Sequence, residues 1–469
     1  MTVYYDDLFR LCGFEDDEMG KERLRVEKVL TKLELGPAEM RTARDWVRQN
    51  HDVSLVGVRK LLGAWLKELI DLVLAKDEGK KVVYFSFPSI QGPGMAIKAA
   101  DPEGIYCACP DMVLCHTMGQ IFNKLIPILE AGEENGLPPG HGLCSLQQIR
   151  VGGLAKGIIP MPDLIIGQSY YCDYGAKVDE LLHEKYGHPV AYVDGCKDSK
   201  WGEYPAYLPE RIKFLGEQLN KFFDKVNETL EVEVTSDAWG KAMAASRLLF
   251  SGLGRLTQLM TADPMPVSGV ETALALNLSA ASTGRAMVEG PEAVSILCEE
   301  VEKRVESGIG IIKKGAPRIL TLFPAISDAS LIHMMEEVGL AVSATLLSVP
   351  LPKASQRIPY ATPTEVRAEA EMRAGLYHSS FAIAKRFEDV AKTLKVDGVI
   401  WGYQHSCRPN AAGSHTIKKW VEENTGLPTL SLEMDFFDSR YYSAGALRTR
   451  VEAFADMLRA RQASAGDRR

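Results

Sequence analysis

No run of 18 apolar residues occurs in the 469-residue sequence, so no segment is expected to cross a membrane as a helix. Basic stripes interleaved with aromatics are also missing: 54 Lys+Arg stand against 62 Asp+Glu, a net charge of −8, which argues against nucleic acid as a partner. The start, MTVYYDDLFRLCGFEDDEMG, is acidic and lacks the basic opening and apolar run of a secretion signal, predicting a cytoplasmic protein. Low-complexity segments and tight repeats are absent, and no G-x-x-x-x-G-K-[ST] loop is present to hold a nucleotide triphosphate. Cysteine is sparse: nine residues, without the compact spacing of a zinc finger or ferredoxin. Without a secretion signal, these read as thiols or metal ligands rather than as a disulfide framework. What remains is ordinary globular composition, 46% hydrophobic and 25% charged, which excludes a disordered or collagenous chain and is long enough for two or three domains.

Residues 16–77 place apolar side chains at helical spacing, as in Val58, Leu61, Leu62, Trp65, Leu66, Leu69 and Ile70, predicting a helical N-terminal region over 1–80. Short apolar runs bounded by turn residues follow, at Lys81–Phe87, Ile105–Cys109, Asp163–Ser169 and Pro189–Asp194, each succeeded by a helical pattern. Such alternation predicts parallel strands buried on both faces and a first α/β domain over 81–205. Residues 206–310 show helical periodicity without a strand signal, hence a helical connector or cap. Strand signals return at Arg318–Phe323, Ala341–Ser348, Gly398–Tyr403 and Thr429–Met434, separated by helical segments such as 363–395 and 413–425, predicting a second α/β domain over 311–469. The two halves are compatible with distant copies of one unit.

Cys172 comes directly after the strand DLIIGQS and Cys407 directly after GVIWGYQ, each before a helix. Ligands of open α/β sheets bind outside the carboxyl ends of strands, so both thiols fall where each half presents chemistry. Cys144, in HGLCSLQQIRVGGLAKG, opens a further helix, where the helix dipole and unpaired N–H groups are expected to lower a thiol's pKa toward the thiolate that a metal needs. By spacing and position alone, the three read first as buried small hydrophobes, as free cysteines commonly are. Cys107, Cys109, Cys115 and Cys196 read as core or loop thiols with the option of extra sulfur ligation, and Cys298, in PEAVSILCEEVEKRV, as core. His183-Glu184 with His188 has the wrong spacing for a zinc-protease helix, Gly167–Ser169 lacks the second glycine of a nucleophile elbow because Tyr171 stands there, and Gly252-Leu253-Gly254 lies in a helical pattern, where it permits close helix packing.

The segment Asp397–Leu458, with its Ser-Cys-Arg-Pro turn, the helix before Gly-Leu-Pro, the strand leading into Glu/Asp, and the Asp-Ser-Arg-Tyr-Tyr and Arg-Thr-Arg-Val-Glu-Ala-Phe runs, resembles the C-terminal part of the 2-hydroxyacyl-CoA dehydratase and benzoyl-CoA reductase family. Upstream, LCSLQQIRVGGLAKG and PDLIIGQSYYCDYGAKVDELL resemble the family's first two cysteine segments. The resemblance implies two Rossmann/flavodoxin-like parallel-sheet domains with an iron–sulfur cluster between them. It also implies that Cys144, Cys172 and Cys407 hold that cluster, a [4Fe-4S] centre or, in view of the extra thiols, a double-cubane [8Fe-9S] centre. Three neighbours are candidates to assist. His405 is a hydrogen-bond donor, Arg408 a cation for cluster sulfide or a CoA phosphate, and Ser414 a residue of the helix start expected at Gly413–Ser414.

The implied reaction is elimination of water from a 2-hydroxyacyl-CoA through a ketyl radical, after ATP-driven one-electron activation. The implied partners are an acyl-CoA substrate, a second related cluster-bearing subunit and a separate ATP-hydrolysing iron–sulfur activator. The alternatives within the resemblance are a benzoyl-CoA reductase-type subunit acting on an aromatic acyl-CoA, and an electron-relay subunit whose cluster never touches substrate.

Overall fold

All eight expected strand segments form strands in the computed structural model, which describes residues 3–86, 91–138, 143–169, 172–195, 208–322, 329–345, 362–373 and 380–466. The chain opens with helices α1 (Asp6–Leu11), α2 (Asp16–Lys32), α3 (Pro37–Asn50) and α4 (Val56–Leu74). The first half then runs β1 (Lys81–Phe85), α5 (Gln91–Ala100), β2 (Ile105–Ala108), α6 (Pro110–Leu114), a π-helix Cys115–Ile121, α7 (Ile126–Glu134), α8 (Ser145–Ala155), β3 (Leu164–Gln168), α9 (Asp173–Tyr186) and β4 (Val190–Val193). Helices α10 (Pro209–Leu230), α11 (Ser236–Leu259), α12 (Gly269–Ala281), α13 (Arg285–Val288) and α14 (Gly290–Glu306) intervene. The second half comprises β5 (Arg318–Thr321), α15 (Ser330–Glu337), β6 (Ala341–Thr345), α16 (Pro363–Arg373), α17 (Ser380–Leu394), β7 (Gly398–Gln404), α18 (Arg408–Thr425), β8 (Thr429–Met434), a 3-10 turn Ser439–Tyr441 and α19 (Ala444–Gly466). The expected strand ends Phe87, Phe323 and Ser348, together with Tyr171 and Cys196, lie outside the described residues.

The strands assemble into two four-stranded sheets among the described residues, ordered β2-β1-β3-β4 and β6-β5-β7-β8. Every pairing is parallel, with Ile165 opposite Val190 in the first sheet and Ile400 opposite Leu430 in the second. Near-continuous apolar runs such as LIIG and GVIW let the inner strands β3 and β7 be buried on both faces by the flanking helices. The orders correspond strand for strand, and the cysteine-bearing turns fall at the same place: β3 leads to Cys172 and α9, and β7 leads to Cys407 and α18. Both helices end at a left-handed glycine, Gly187 (φ 76°) and Gly426 (φ 68°), where a Cβ would be strained.

The N-terminal helices pack with α11–α14 into one layer, while α10 lies against β3, β4 and α16. Trp65, fully buried, donates from Nε1 to the Leu274 carbonyl at 3.2 Å. Lys67 joins Glu18 and Glu289, and a Cβ on Gly57 would strike the Leu297 backbone. Gly252 lies within α11, and a Cβ there would meet Val294 of α14 at 2.9 Å, the close packing expected of the Gly252-Leu253-Gly254 run. One boundary differs from expectation. The helix placed at Gly413–Ser414 begins at Arg408, with a proline in its first turn and Cys407 as its N-cap, so Ser414 is interior and caps nothing. Gly413 is required instead by the close approach of α17, because a Cβ there would collide with Ser380.

Candidate functional site

Cys144, Cys172 and Cys407 each occupy the N-cap of a helix of eleven or more residues, α8, α9 and α18, with extended backbone at each cap. The structure brings all three into one electrostatic neighbourhood, since the Cys407 and Cys172 thiols both act on that of Cys144. No disulfide links any described cysteine. The direction of the Cys144 shift is opposite to the one expected from its helix start. Burial pushes the thiol well above its ordinary value, Cys407, Asp435 and Cys172 add to the rise, and the Leu146 backbone N–H opposes it only weakly. Desolvation of a thiolate outweighs one helix dipole; a bound cationic centre reverses that balance.

A buried polar clamp joins the two halves beside Cys144. The Ser145 hydroxyl donates to Asp435 Oδ1 at 2.5 Å, and the Phe437 and Asp438 backbone N–H groups reach the same oxygen at 2.9 and 3.1 Å. Gln404, the last residue of β7, directs Nε2 at Asp435 Oδ2 (3.2 Å), Ser406 Oγ (2.9 Å), Ser145 Oγ (3.3 Å) and Cys144 Sγ (3.6 Å). Burial raises the Asp435 carboxyl, against the downward pull of Ser145 and the Phe437 N–H. At the rim, Arg440 pairs with Asp438 at 2.7 Å and with Glu133 of α7 at 2.6 Å.

Behind the thiols, Arg150 of α8 is fully buried and holds three elements together. Its guanidinium makes a two-pronged pair with Asp111 of α6 at 2.8 Å per bond and meets Asp179 of α9, Ser86 and Gln147 at 2.5 to 3.0 Å. Tyr192 donates to the other oxygen of Asp179 at 2.6 Å. Burial raises both carboxyls, that of Asp179 to about 6, against the pull of Arg150.

The remaining sequence candidates separate. Cys109 caps α6, and the thiol of Cys115 feels both Asp435 and Cys109, so these two border the clamp. Cys107 lies instead against Gly94 of α5. Cys298 is buried with its thiol 3.6 Å from the Gly252 carbonyl, a core residue as expected. His405 is exposed, its ring 5.9 Å from that of Tyr441, and Arg408 is an exposed residue in the first turn of α18. His183 turns Nδ1 to the His188 carbonyl at 2.7 Å, in keeping with its rejection as a zinc motif. Among the described residues no three His, Cys, Asp or Glu side chains converge on a single ion; a four-iron cube spreads its thiolates wider than one ion does. A donor set of three thiols suits iron and sulfide. Sequence reasoning missed Gln404, Asp435, Ser145 and Arg150, although a glutamine ending an apolar strand three residues before Cys407 was a usable signal.

Two parallel α/β sheets that present three helix-capping thiols beside one buried polar clamp define a two-sheet, cysteine-centred α/β protein. Residues 106–458 match the family described as 2-hydroxyglutaryl-CoA dehydratase, D-component, and the chain belongs to that family. The (R)-phenyllactyl-CoA dehydratase alpha subunit of Clostridium sporogenes is 22% identical over 399 residues, 83% of this chain and 92% of that protein. The (R)-2-hydroxyglutaryl-CoA dehydratase subunit alpha of Acidaminococcus fermentans is 20% identical over 317 residues, 66% of this chain and 63% of that protein. Among the described residues no helix is long and apolar enough to cross a membrane.

Proposed function

We propose that this chain is the iron–sulfur subunit of a 2-hydroxyacyl-CoA dehydratase, removing water from a 2-hydroxyacyl thioester to leave the 2-enoyl thioester. The observation that carries the reading is the family match over 106–458, which spans Cys144, Cys172 and Cys407, combined with their common neighbourhood at three helix starts. These three thiols would hold a [4Fe-4S] cluster. When bound, the cluster supplies an electron and a Lewis-acidic iron for a reaction whose β-proton is too weakly acidic for a side-chain base.

The chain's own residues do the holding. Arg150 fixes the spacing of α6, α8 and α9, and so of two of the thiols. Gln404, Ser145 and Asp435 lock the second half onto the first and occupy the polar positions beside Cys144, which leaves water few partners there. Cys109 and Cys115, next to the same clamp, are the thiols a double-cubane centre would recruit.

With no phosphate loop in the sequence, electrons at low potential are expected from a separate ATP-hydrolysing activator, and the alpha-subunit names of the relatives support a second subunit. The test is anaerobic turnover of the complex with activator and ATP on (R)-phenyllactyl-CoA, (R)-2-hydroxyglutaryl-CoA and benzoyl-CoA. An enoyl-CoA product that requires ATP is the expected result. Reduction of benzoyl-CoA without any dehydration would move the chain to the reductase branch, and undiminished conversion by the chain alone without ATP would overturn the partner scheme.

A further inference from the structure

Five residues outside the thiol site gather at the carboxyl end of β1. Gln91 and Gly92 open α5, Trp239 comes from α11, and Arg367 and Glu371 lie one turn apart on α16. A Cβ built on Gly92 would meet Glu371 Oε1 at 2.6 Å and Trp239 Cη2 at 3.5 Å, and the Arg367 guanidinium stacks on the Trp239 ring, 4.3 Å from its centroid. Among the described residues, the polar groups of this cluster find few partners. Gln91 Nε2 is buried without an acceptor. Arg367 is half-buried, no carboxylate among the described residues meets its guanidinium, and burial lowers its pKa. Glu371, also half-buried, does not pair with Arg367 despite the helical spacing, and burial alone pushes its carboxyl up to about 7.

A buried donor without an acceptor is costly, so the Gln91 amide, next in sequence to Gly92 and close to half-buried Arg367 and Glu371, describes a site that its ligand completes. Arg367 and the Gln91 amide are donors, Glu371 becomes one when its raised carboxyl holds a proton, and the start of α5 adds the positive end of a ten-residue helix. Donors of this kind select an oxyanion. The place is also where a ligand belongs in this topology, because β1 and β3 are neighbours whose connections leave in opposite directions along the sheet order β2-β1-β3-β4. The start of α9 is adjacent: a Cβ on Gly175 would lie 3.9 Å from Ser86 Oγ, at the end of β1.

We propose that Arg367, Gln91 and Glu371, walled by Trp239, bind a carboxylate or phosphate group of the substrate thioester. The inference deepens the acyl-CoA reading above and rests on it for the class of ligand.

Isothermal titration of the full-length chain with butyryl-CoA and glutaryl-CoA, which differ only by a terminal carboxylate, tests it against Arg367→Ala, Arg367→Lys, Glu371→Gln and Glu371→Leu. Circular dichroism establishes that each variant is folded. Arg367→Ala is expected to weaken binding by about tenfold or more, with Arg367→Lys intermediate. Glu371→Gln, which keeps a donor, is expected to bind better than Glu371→Leu. Equal weakening of both thioesters assigns the site to a CoA phosphate, and weakening of glutaryl-CoA alone assigns it to the acyl terminus. Tight binding of both thioesters that Arg367→Ala leaves unchanged would overturn this site while the acyl-CoA reading stands. Failure of the wild-type chain to bind either thioester would overturn both.

Discussion

Gln404 offers two N–H bonds to four surrounding acceptors, so its role is to satisfy a buried polar group spanning both halves rather than to fill space. Gln404→Leu leaves Asp435 and two hydroxyls short of a donor, and a loss of about 1–3 kcal/mol is expected in urea denaturation. An unchanged midpoint would show that the clamp does not join the halves. Arg150 carries more. Its side chain neutralises two buried carboxylates at once, and Arg150→Met should cost roughly 3–5 kcal/mol because it strands uncompensated charge. Adding Asp111→Asn and Asp179→Asn to that variant is expected to recover part of the loss. A triple variant no more stable than the single one would mean that Arg150 acts by packing alone.

Among the elements, the strands were legible because short apolar runs between turn residues leave little choice, and the positions of Cys172 and Cys407 because strand-to-helix turns are local features. The start of α18 was not, since its cap is a cysteine, outside the usual capping set, and Gly413 mimics a boundary while serving contact with α17. The clamp was beyond local reading as well: Ser145 and Asp435 are 290 residues apart. The sign of the Cys144 shift was misjudged for a related reason, because burial is set by distant chain.

The π-helix Cys115–Ile121 carries a further consequence of burial. His116 lies on it, stacked on Trp65 of α4 with centroids 4.3 Å apart, and burial first, then His51, pushes its pKa down to about 3. The folded state therefore favours neutral His116. Its contribution is complete above the unfolded value near 6.5 and is lost as pH falls toward 3, at about 1.4 kcal/mol per pH unit. His116→Phe is expected to flatten the decline in denaturation midpoint between pH 6.5 and 5. An identical slope in the variant would refute the assignment.

At the scale of the whole molecule, two sheets of the same strand order place Cys172 and Cys407 at corresponding turns, while Cys144 and the clamp residues bind one half to the other. The helical layer built from the N-terminal helices and α11–α14 packs on the first half through α4, where Tyr106 of β2 donates to Glu68 at 2.7 Å and His116 stacks on Trp65. A centre held by the three thiols would draw ligands from both halves, so its loading would report on the joint between them as well as on the thiols. Iron and sulfide content of anaerobically purified chain, measured side by side for the wild type, Cys407→Ala and Cys298→Ala, tests this most directly. About four irons per chain are expected in the wild type and in Cys298→Ala, with loss of the cluster in Cys407→Ala. Metal-free wild-type protein from a cluster-competent host, or equal iron in the two variants, would contradict the assignment of Cys144, Cys172 and Cys407 as the cluster ligands.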